Sequence, residues 1–133
     1  MLLTHRALRR LALPWLLLAL HATSVSAATL AGGPMAGPAT AERVGVWLMT
    51  DAPAQVQLEY WPHGQPDAAQ RSAPVATSPE RGHTARVDLV GLQAATRYAY
   101  RVLLDGTAVE LGEAPAFTTA PADPSAAREL LIA

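Results

Sequence analysis

A chain of 133 residues, half of them apolar, can fill one modest hydrophobic core and is too short for two full domains. It contains no cysteine, which excludes a disulfide framework, a thiolate zinc site and a lipid-modified cysteine. All ten basic residues are arginine and the formal net charge is -1, so no basic stripe for nucleic acid is present.

Residues 1–27 have the three parts of a cleavable signal peptide. Arg6, Arg9 and Arg10 precede the apolar run "LALPWLLLAL", and "SVSA" supplies small residues for cleavage after Ala27. The apolar run is about half as long as a bilayer-spanning helix, so a permanent membrane anchor is the weaker alternative. Arg9 and Arg10 resemble a twin-Arg signal, but the strongly apolar core favours the general secretory route.

We therefore expect an exported protein, periplasmic or extracellular. Cleavage after Ala27 leaves seven arginines and eleven acids, 7 minus 11, or a charge of -4. An acidic mature chain has no electrostatic reason to bind nucleic acid or an anionic membrane.

Residues 28–42, "ATLAGGPMAGPATAE", are small and punctuated by glycine and proline. The pattern predicts an extended lead-in with at most one edge strand. Its glycines are followed by proline and by no helix, which excludes a phosphate-binding loop at a helix start, and we interpret them as flexible.

Alternating apolar residues then predict two strands, 43–50 and 54–61. Asp51 and Pro53 are turn formers, so the two strands are interpreted as a hairpin. The segment 62–82 has four prolines and two glycines, which excludes a helix and leaves room for one short edge strand near Pro74. Two further alternating strands follow, "HTARVDLV" and "TRYAYRVLL", and Asp105-Gly106 predicts a two-residue hairpin turn.

About seven short strands without a helix predict an all-β fold, an antiparallel immunoglobulin or fibronectin type III β-sandwich over residues 43–120. In such sandwiches a tyrosine near the start of the sixth strand hydrogen-bonds back to the preceding crossover. The stretch "GLQAATRYAY" predicts that Tyr98 forms this corner and that Leu92 closes the core. The alternative is that Tyr98 and Tyr100 are ordinary strand aromatics.

The strand 43–50 is apolar on both faces. Val44, Val46 and Leu48 serve one face, whereas the other carries Trp47 and Met49 where a solvated sheet should be polar. We interpret Trp47 and Met49 as a candidate interface. The alternative is that the lead-in folds over Trp47 and buries it.

The mature chain offers no set of residues typical of catalysis. Its two histidines, His63 and His83, lie in loop sequence, and a catalytic metal needs about three ligands and an open position. The carboxylates are dispersed, and no Gly-x-Ser-x-Gly elbow is present. The chain is therefore expected to have no catalytic residues, metal site or cofactor of its own.

Residues 31–121 as a whole resemble a known family. The segments "GPMAGPATAERVGVWLMTDAPAQVQLEYW", "RSAPVAT", "HTARVDLVGLQAATRYAYRVLLDG" and "FTTAP" are similar to the N-terminal fibronectin-type-III-like domain of alkaline phosphatase D (PhoD-like) enzymes. The pattern GLxxxTxYxYRV alone is shared with fibronectin type III modules and with the front domain of purple acid phosphatases.

The resemblance implies a non-catalytic accessory domain. In such enzymes it precedes a larger metallophosphoesterase domain, which holds divalent or trivalent metals and hydrolyses phosphate mono- or diesters. Residues 121–133 would be the linker and the start of that domain, so "AARELLIA" is interpreted as its entry and the chain as a fragment. The alternative for this segment is a short helix docked on the sandwich.

The resemblance also implies the partner of Trp47 and Met49, namely the phosphoesterase domain on the same polypeptide. A different class of function stays open. A free-standing fibronectin-type adhesion or glycan-binding module would display exposed aromatics, and Trp61 beside the 62–82 loop is the candidate for that role.

Overall fold

The computed structural model describes residues 27–123 and Ser125. Residues 1–26 of the predicted signal peptide and the "ELLIA" segment lie outside the described residues. In the part of the chain that the structure describes, no helix has the length and apolarity needed to cross a bilayer.

Nine β-strands and two single 3-10 turns, Pro66–Ala68 and Pro79–Arg81, make up the described fold. The strands are β1 Leu30–Ala36, β2 Val44–Thr50, β3 Gln55–Pro62, β4 Gln70–Arg71, β5 Val75–Ala76, β6 Thr84–Leu89, β7 Arg97–Leu104, β8 Thr107–Ala108 and β9 Ala116–Thr118.

The strands form two antiparallel sheets. Sheet A has the order β1-β2-β6, and sheet B is built around the central pair β3-β7. Short strands β4 and β5 pair with the outer edge of β3, and β8 and β9 pair with the outer edge of β7. The predicted all-β, antiparallel sandwich of the immunoglobulin or fibronectin type III class is confirmed.

The core lies between the two sheets and consists of the inward residues of the alternating strands. Sheet A contributes Val44, Val46, Leu48, Ala85, Val87 and Leu89, and sheet B contributes Val56, Leu58, Tyr60, Tyr98, Tyr100, Val102 and Phe117. Stacked rings of Tyr98 and Phe117, 5.4 Å apart, fill one end of it. Burial of these apolar faces supplies most of the stabilisation that a cysteine-free domain of this size has.

The predicted hairpin between the first two strands is wrong. β2 pairs with β1 and β6, whereas β3 pairs with β4, β5 and β7, so residues 51–54 cross from one sheet to the other. Both strands have an apolar face, and these faces pack against each other across the core. Alternation predicts which side of a strand is buried but not which strand lies beside it.

Asp51 has a further role at this crossing. Its carboxylate accepts hydrogen bonds from the N–H and the hydroxyl of Thr29, both at 2.7 Å, and its own N–H donates to the Thr29 carbonyl. These bonds lower the pKa of the Asp51 carboxyl. They tie the start of β1 to the crossing between the sheets.

The second predicted turn is confirmed. Leu104 pairs with Thr107, and the two residues between them, Asp105 and Gly106, have φ of 49° and 82°. Positive φ at both central positions is the requirement of the tight turn that suits two twisted strands.

Two of the three lead-in glycines, Gly32 and Gly33, lie in β1 and are part of sheet A, and Gly37 follows directly after the strand. β1 pairs with β2 through two irregularities in register, one on each side of Gly32. At Gly33, φ is 77°, and a β-carbon there would lie 2.7 Å from the Trp47 carbonyl oxygen. Glycine is therefore required at this position by packing as well as by backbone conformation.

Candidate functional site

The outer face of sheet A carries large side chains where a solvated sheet would carry polar ones. The strand register places Met35, Trp47 and Arg86 side by side across β1, β2 and β6. Met35 is 62% exposed and Trp47 is 38% exposed. We name this surface, formed by Met35, Gly45, Trp47, Met49 and Arg86, the Trp47 face.

β1 lies beside β2 and covers the Trp47 face only in part. Gly32 is opposite Met49, and a β-carbon on Gly32 would be 3.6 Å from Met49 and 3.8 Å from Trp47. Both side chains therefore lie over β1 at this position, and a β-carbon on Gly32 would meet them at ordinary van der Waals distance. Met49 is half-buried as a result, whereas Trp47 keeps over a third of its surface exposed.

A concavity of about 340 Å³ opens on the Trp47 face, lined by residues that include Met35, Pro38, Trp47 and Arg86. Gly45 admits the Arg86 side chain to this surface, because a β-carbon at Gly45 would stand 2.8 Å from Nε of Arg86. The guanidinium therefore lies over the glycine. Tryptophan and arginine are the side chains that most often dominate binding energy at protein interfaces, and methionine is also enriched there.

The C-terminal part of the sandwich returns to the neighbourhood of this surface. The N–H of Ala120 donates to the carbonyl of Thr40 at 3.1 Å. Shortly before Thr40, Gly37 donates to the carbonyl of Gly45 at 2.9 Å, and Gly37 and Pro38 line the concavity. The segment that follows Ala120 therefore starts close to the rim of the Trp47 face.

Tyr98 and Leu92 lie at the crossover between β6 and β7. Both are buried, and the Tyr98 hydroxyl oxygen accepts a hydrogen bond from the N–H of Gln93 at 2.8 Å. The Gln93 carbonyl accepts a second bond, at 2.6 Å, from the hydroxyl of Thr119. The side chains of Tyr98 and Thr119 thus bind the N–H and the carbonyl of Gln93. The sequence predicts the Tyr98 bond but not the Thr119 bond.

Replacing Tyr98 by phenylalanine should lower the free energy of unfolding by about 1 kcal/mol, because the Gln93 N–H loses its partner while the ring still fills the core. Chemical denaturation of the purified protein measures this loss. Tyr100→Phe is the control, since no hydrogen bond to another described residue uses the Tyr100 hydroxyl. Equal losses in the two variants would remove the specific role of the Tyr98 hydroxyl.

The outer face of sheet B is organised around one carboxylate. Glu59, with its side chain 11% exposed, accepts from Nη2 of Arg101 at 2.7 Å and from Nε of Arg71 at 3.3 Å. The Arg101 guanidinium also lies 5.8 Å from the ring centre of Trp61. Arg71 of β4 and Arg101 of β7 lie on either side of Glu59 in β3, so the two ion pairs connect the three strands. Trp61 is half-buried.

Hydrogen bonding from Arg101 lowers the pKa of Glu59 below its ordinary value of 4.5. A lowered folded-state pKa adds stability above the unfolded-state pKa and loses it as pH falls through the folded value. Stability should therefore drop below about pH 4.5, and Glu59→Gln should remove part of that dependence, about 1 kcal/mol or less. Denaturation midpoints measured from pH 3 to 7 test this prediction. Glu113→Gln is the control, because Glu113 forms no ion pair with a described residue. The same pH profile in the two variants would contradict the prediction.

The two histidines do not come together. His63 follows β3, and its backbone N–H donates to the Arg97 carbonyl, whereas the carbonyl of His83 accepts from the Thr50 N–H at the opposite end of the sandwich. Nδ1 of His83 is buried without a hydrogen-bond partner among the described residues. The described part of the chain has no group of three histidine or acidic side chains that could hold a metal ion.

Residues 27–122 match the domain family described as domain of unknown function DUF7800. No curated protein is similar enough to the chain to count as a match.

Solved structures with the same fold share little sequence with this chain. The short form of the sensor domain of the anti-sigma factor RsgI4 from Pseudobacteroides cellulosolvens is 17% identical with a TM-score of 0.53, over 74% of this chain and 99% of that one. The structure of PhoD is 17% identical with a TM-score of 0.56, over 65% of this chain. The similar region spans 18% of the PhoD chain, so most of that protein has no counterpart here.

Proposed function

The chain belongs to the DUF7800 family, and we propose that it works as a non-catalytic accessory β-sandwich of an exported enzyme of the alkaline phosphatase D type. In this proposal the Trp47 face packs on the metallophosphoesterase domain. Metals and hydrolysis belong to that larger domain.

The proposal rests mainly on the composition of the Trp47 face. A sheet in contact with water alternates apolar and polar residues, yet β2 presents Trp47 and Met49 outward beside Met35 of β1. Exposed apolar side chains that adjoin one another on a soluble domain mark a contact with a partner. Arg86 at the rim is ion-paired through Nε with Asp88 of its own strand at 3.1 Å, and the N–H groups of its two Nη atoms can donate to a carboxylate of that partner.

Chain geometry supports a partner on the same polypeptide. The hydrogen bond between Ala120 and Thr40 holds the end of the sandwich near Gly37 and Pro38, at the rim of the Trp47 face. A domain attached after residue 123 needs only a short linker to reach this surface. The fold similarity to PhoD covers only the β-sandwich, and it agrees with the resemblance of the sequence segments to the N-terminal domain of that family.

A free-standing binding module is the competing function. The match covers almost the whole RsgI4 sensor domain, which has the same fold. The fold therefore also occurs in a sensor domain of an anti-sigma factor. A glycan-binding role through Trp61 receives less support, because Arg101 lies over its ring and joins it to the Glu59 ion pairs.

The test is binding in trans. A purified alkaline phosphatase D catalytic domain without its own N-terminal sandwich is titrated with the exported protein. Trp47→Ser should weaken the complex at least about thirtyfold, as the loss of a central interface tryptophan does. Leu111→Ser is the matched control, because Leu111 is 39% exposed and lies outside the Trp47 face; it should leave the affinity unchanged.

Trp47→Ser should at the same time leave the thermal midpoint nearly unchanged and reduce self-association in sedimentation experiments. A loss of several kcal/mol of folding stability would instead identify Trp47 as a core residue. Equal affinity of the wild type and the Trp47 variant for the catalytic domain would reject the interface.

A further inference from the structure

A second concavity, of about 210 Å³, lies at the end of the sandwich where β3 ends, and plays no part in the proposed domain contact. The loop after β3 forms one side of it and the β6–β7 crossover forms the other. Pro62 and Leu92 provide apolar lining. We name it the end cleft.

The polar groups of the end cleft are all neutral. They belong to Tyr60, Gln65, Gln70, Gln93 and Tyr98. None of the nine residues that line it carries a charge, although one sixth of the chain's residues are charged. Each glutamine amide offers two donors and one acceptor, and the three glutamines are exposed.

The two phenols are held in place with hydrogen-bonding capacity left over. The Tyr60 hydroxyl donates to Oε1 of Gln70 at 3.2 Å, so its lone pairs stay available as acceptors. The Tyr98 oxygen accepts from the Gln93 N–H, and no hydrogen bond among the described residues uses its proton. Burial raises the pKa of the Tyr60 phenol above 10.0, so that phenol is neutral at physiological pH.

We infer that the end cleft binds a small, neutral, polyhydroxylated molecule of the size of a single sugar ring. Hydroxyl groups both donate and accept, and they match a site lined by glutamine amides and phenols together with apolar side chains. An ionic ligand would find no opposite charge there. The volume is below the roughly 300 Å³ at which drug-sized sites begin, which suits one ring rather than a chain of them.

The probes are D-glucose, D-galactose and D-mannose, each titrated into the isotope-labelled full chain and followed by amide NMR. We expect at least one of them to shift the backbone signals of Gly91 and Gln93 and the side-chain amides of Gln65 and Gln70. Glucose 6-phosphate should bind no more tightly than glucose. The inference is overturned if no sugar shifts these signals up to its solubility limit, if the shifts centre on Trp61, or if only the phosphorylated sugar binds.

Variants give a second, independent readout. Gln70→Leu and Gln93→Leu should each weaken sugar binding about tenfold, the effect of losing one good hydrogen bond. Gln55→Leu is the matched control, because Gln55 is an exposed glutamine at the other end of β3 and should leave binding unchanged. Equal affinities for all three variants and the wild type would also overturn the inference, whatever the outcome for the Trp47 face.

Discussion

Gly33→Ala is expected to lower the free energy of unfolding by about 2–3 kcal/mol. At a φ of 77° an alanine is strained, and its β-carbon would lie 2.7 Å from the Trp47 carbonyl oxygen and 3.1 Å from Cα of Leu48. Both contacts are with backbone atoms of the central strand of sheet A, which no side-chain rotation can relieve. β1 or β2 must shift to admit the methyl group.

Gly64→Ala separates the two causes. Gly64 has nearly the same φ, 80°, but a β-carbon there meets no atom within 4 Å. Gly64→Ala should lower the free energy of unfolding by about 1 kcal/mol, because only the backbone strain at positive φ contributes. Urea denaturation of both variants gives the comparison, and losses of the same size would mean that β1 does not pack on β2 as closely as described.

Thr119→Val should cost about 2 kcal/mol although the two side chains have the same shape. The Thr119 hydroxyl donates to the Gln93 carbonyl at 2.6 Å and accepts from the Thr96 N–H at 2.9 Å. Thr119 is buried, so valine leaves both backbone groups without this partner. The crossover between the sheets should loosen first.

Thr118→Val, one residue earlier and exposed, is the control and should be close to neutral. Equilibrium denaturation of the single variants and of the double variant with Tyr98→Phe measures whether the two side chains act together. Because both hold Gln93, the losses should fail to add by at least about 0.5 kcal/mol. Additive losses would show two independent contacts.

The sandwich could be predicted from the sequence because its signals are local. Period-two alternation predicted β3, β6 and β7, and the need for positive φ at Asp105 and Gly106 predicted one turn. Pairing is not local. The Asp51–Ala54 connection was wrongly interpreted as a hairpin, since a short turn can join strands of one sheet or of two.

The candidate site was predictable in part for the same reason. Alternation places Trp47 and Met49 on one side of β2 whichever strands lie beside it. Met35 and Arg86 could not be added to them, because their positions depend on the register of β1 and β6. Thr119 gave no signal of its own, since one threonine in "FTT" resembles any other strand threonine until the crossover is seen to lie against it.

β1 also determines how copies of this domain can meet. It is the outermost strand of sheet A, with two breaks in its register, and Pro34 has no N–H to donate. An incoming strand therefore cannot pair along its whole length, which blocks the growth of a continuous sheet from molecule to molecule. Molecules that meet through their exposed apolar surfaces should stack in pairs that separate on dilution, and fibrils should not start from this edge.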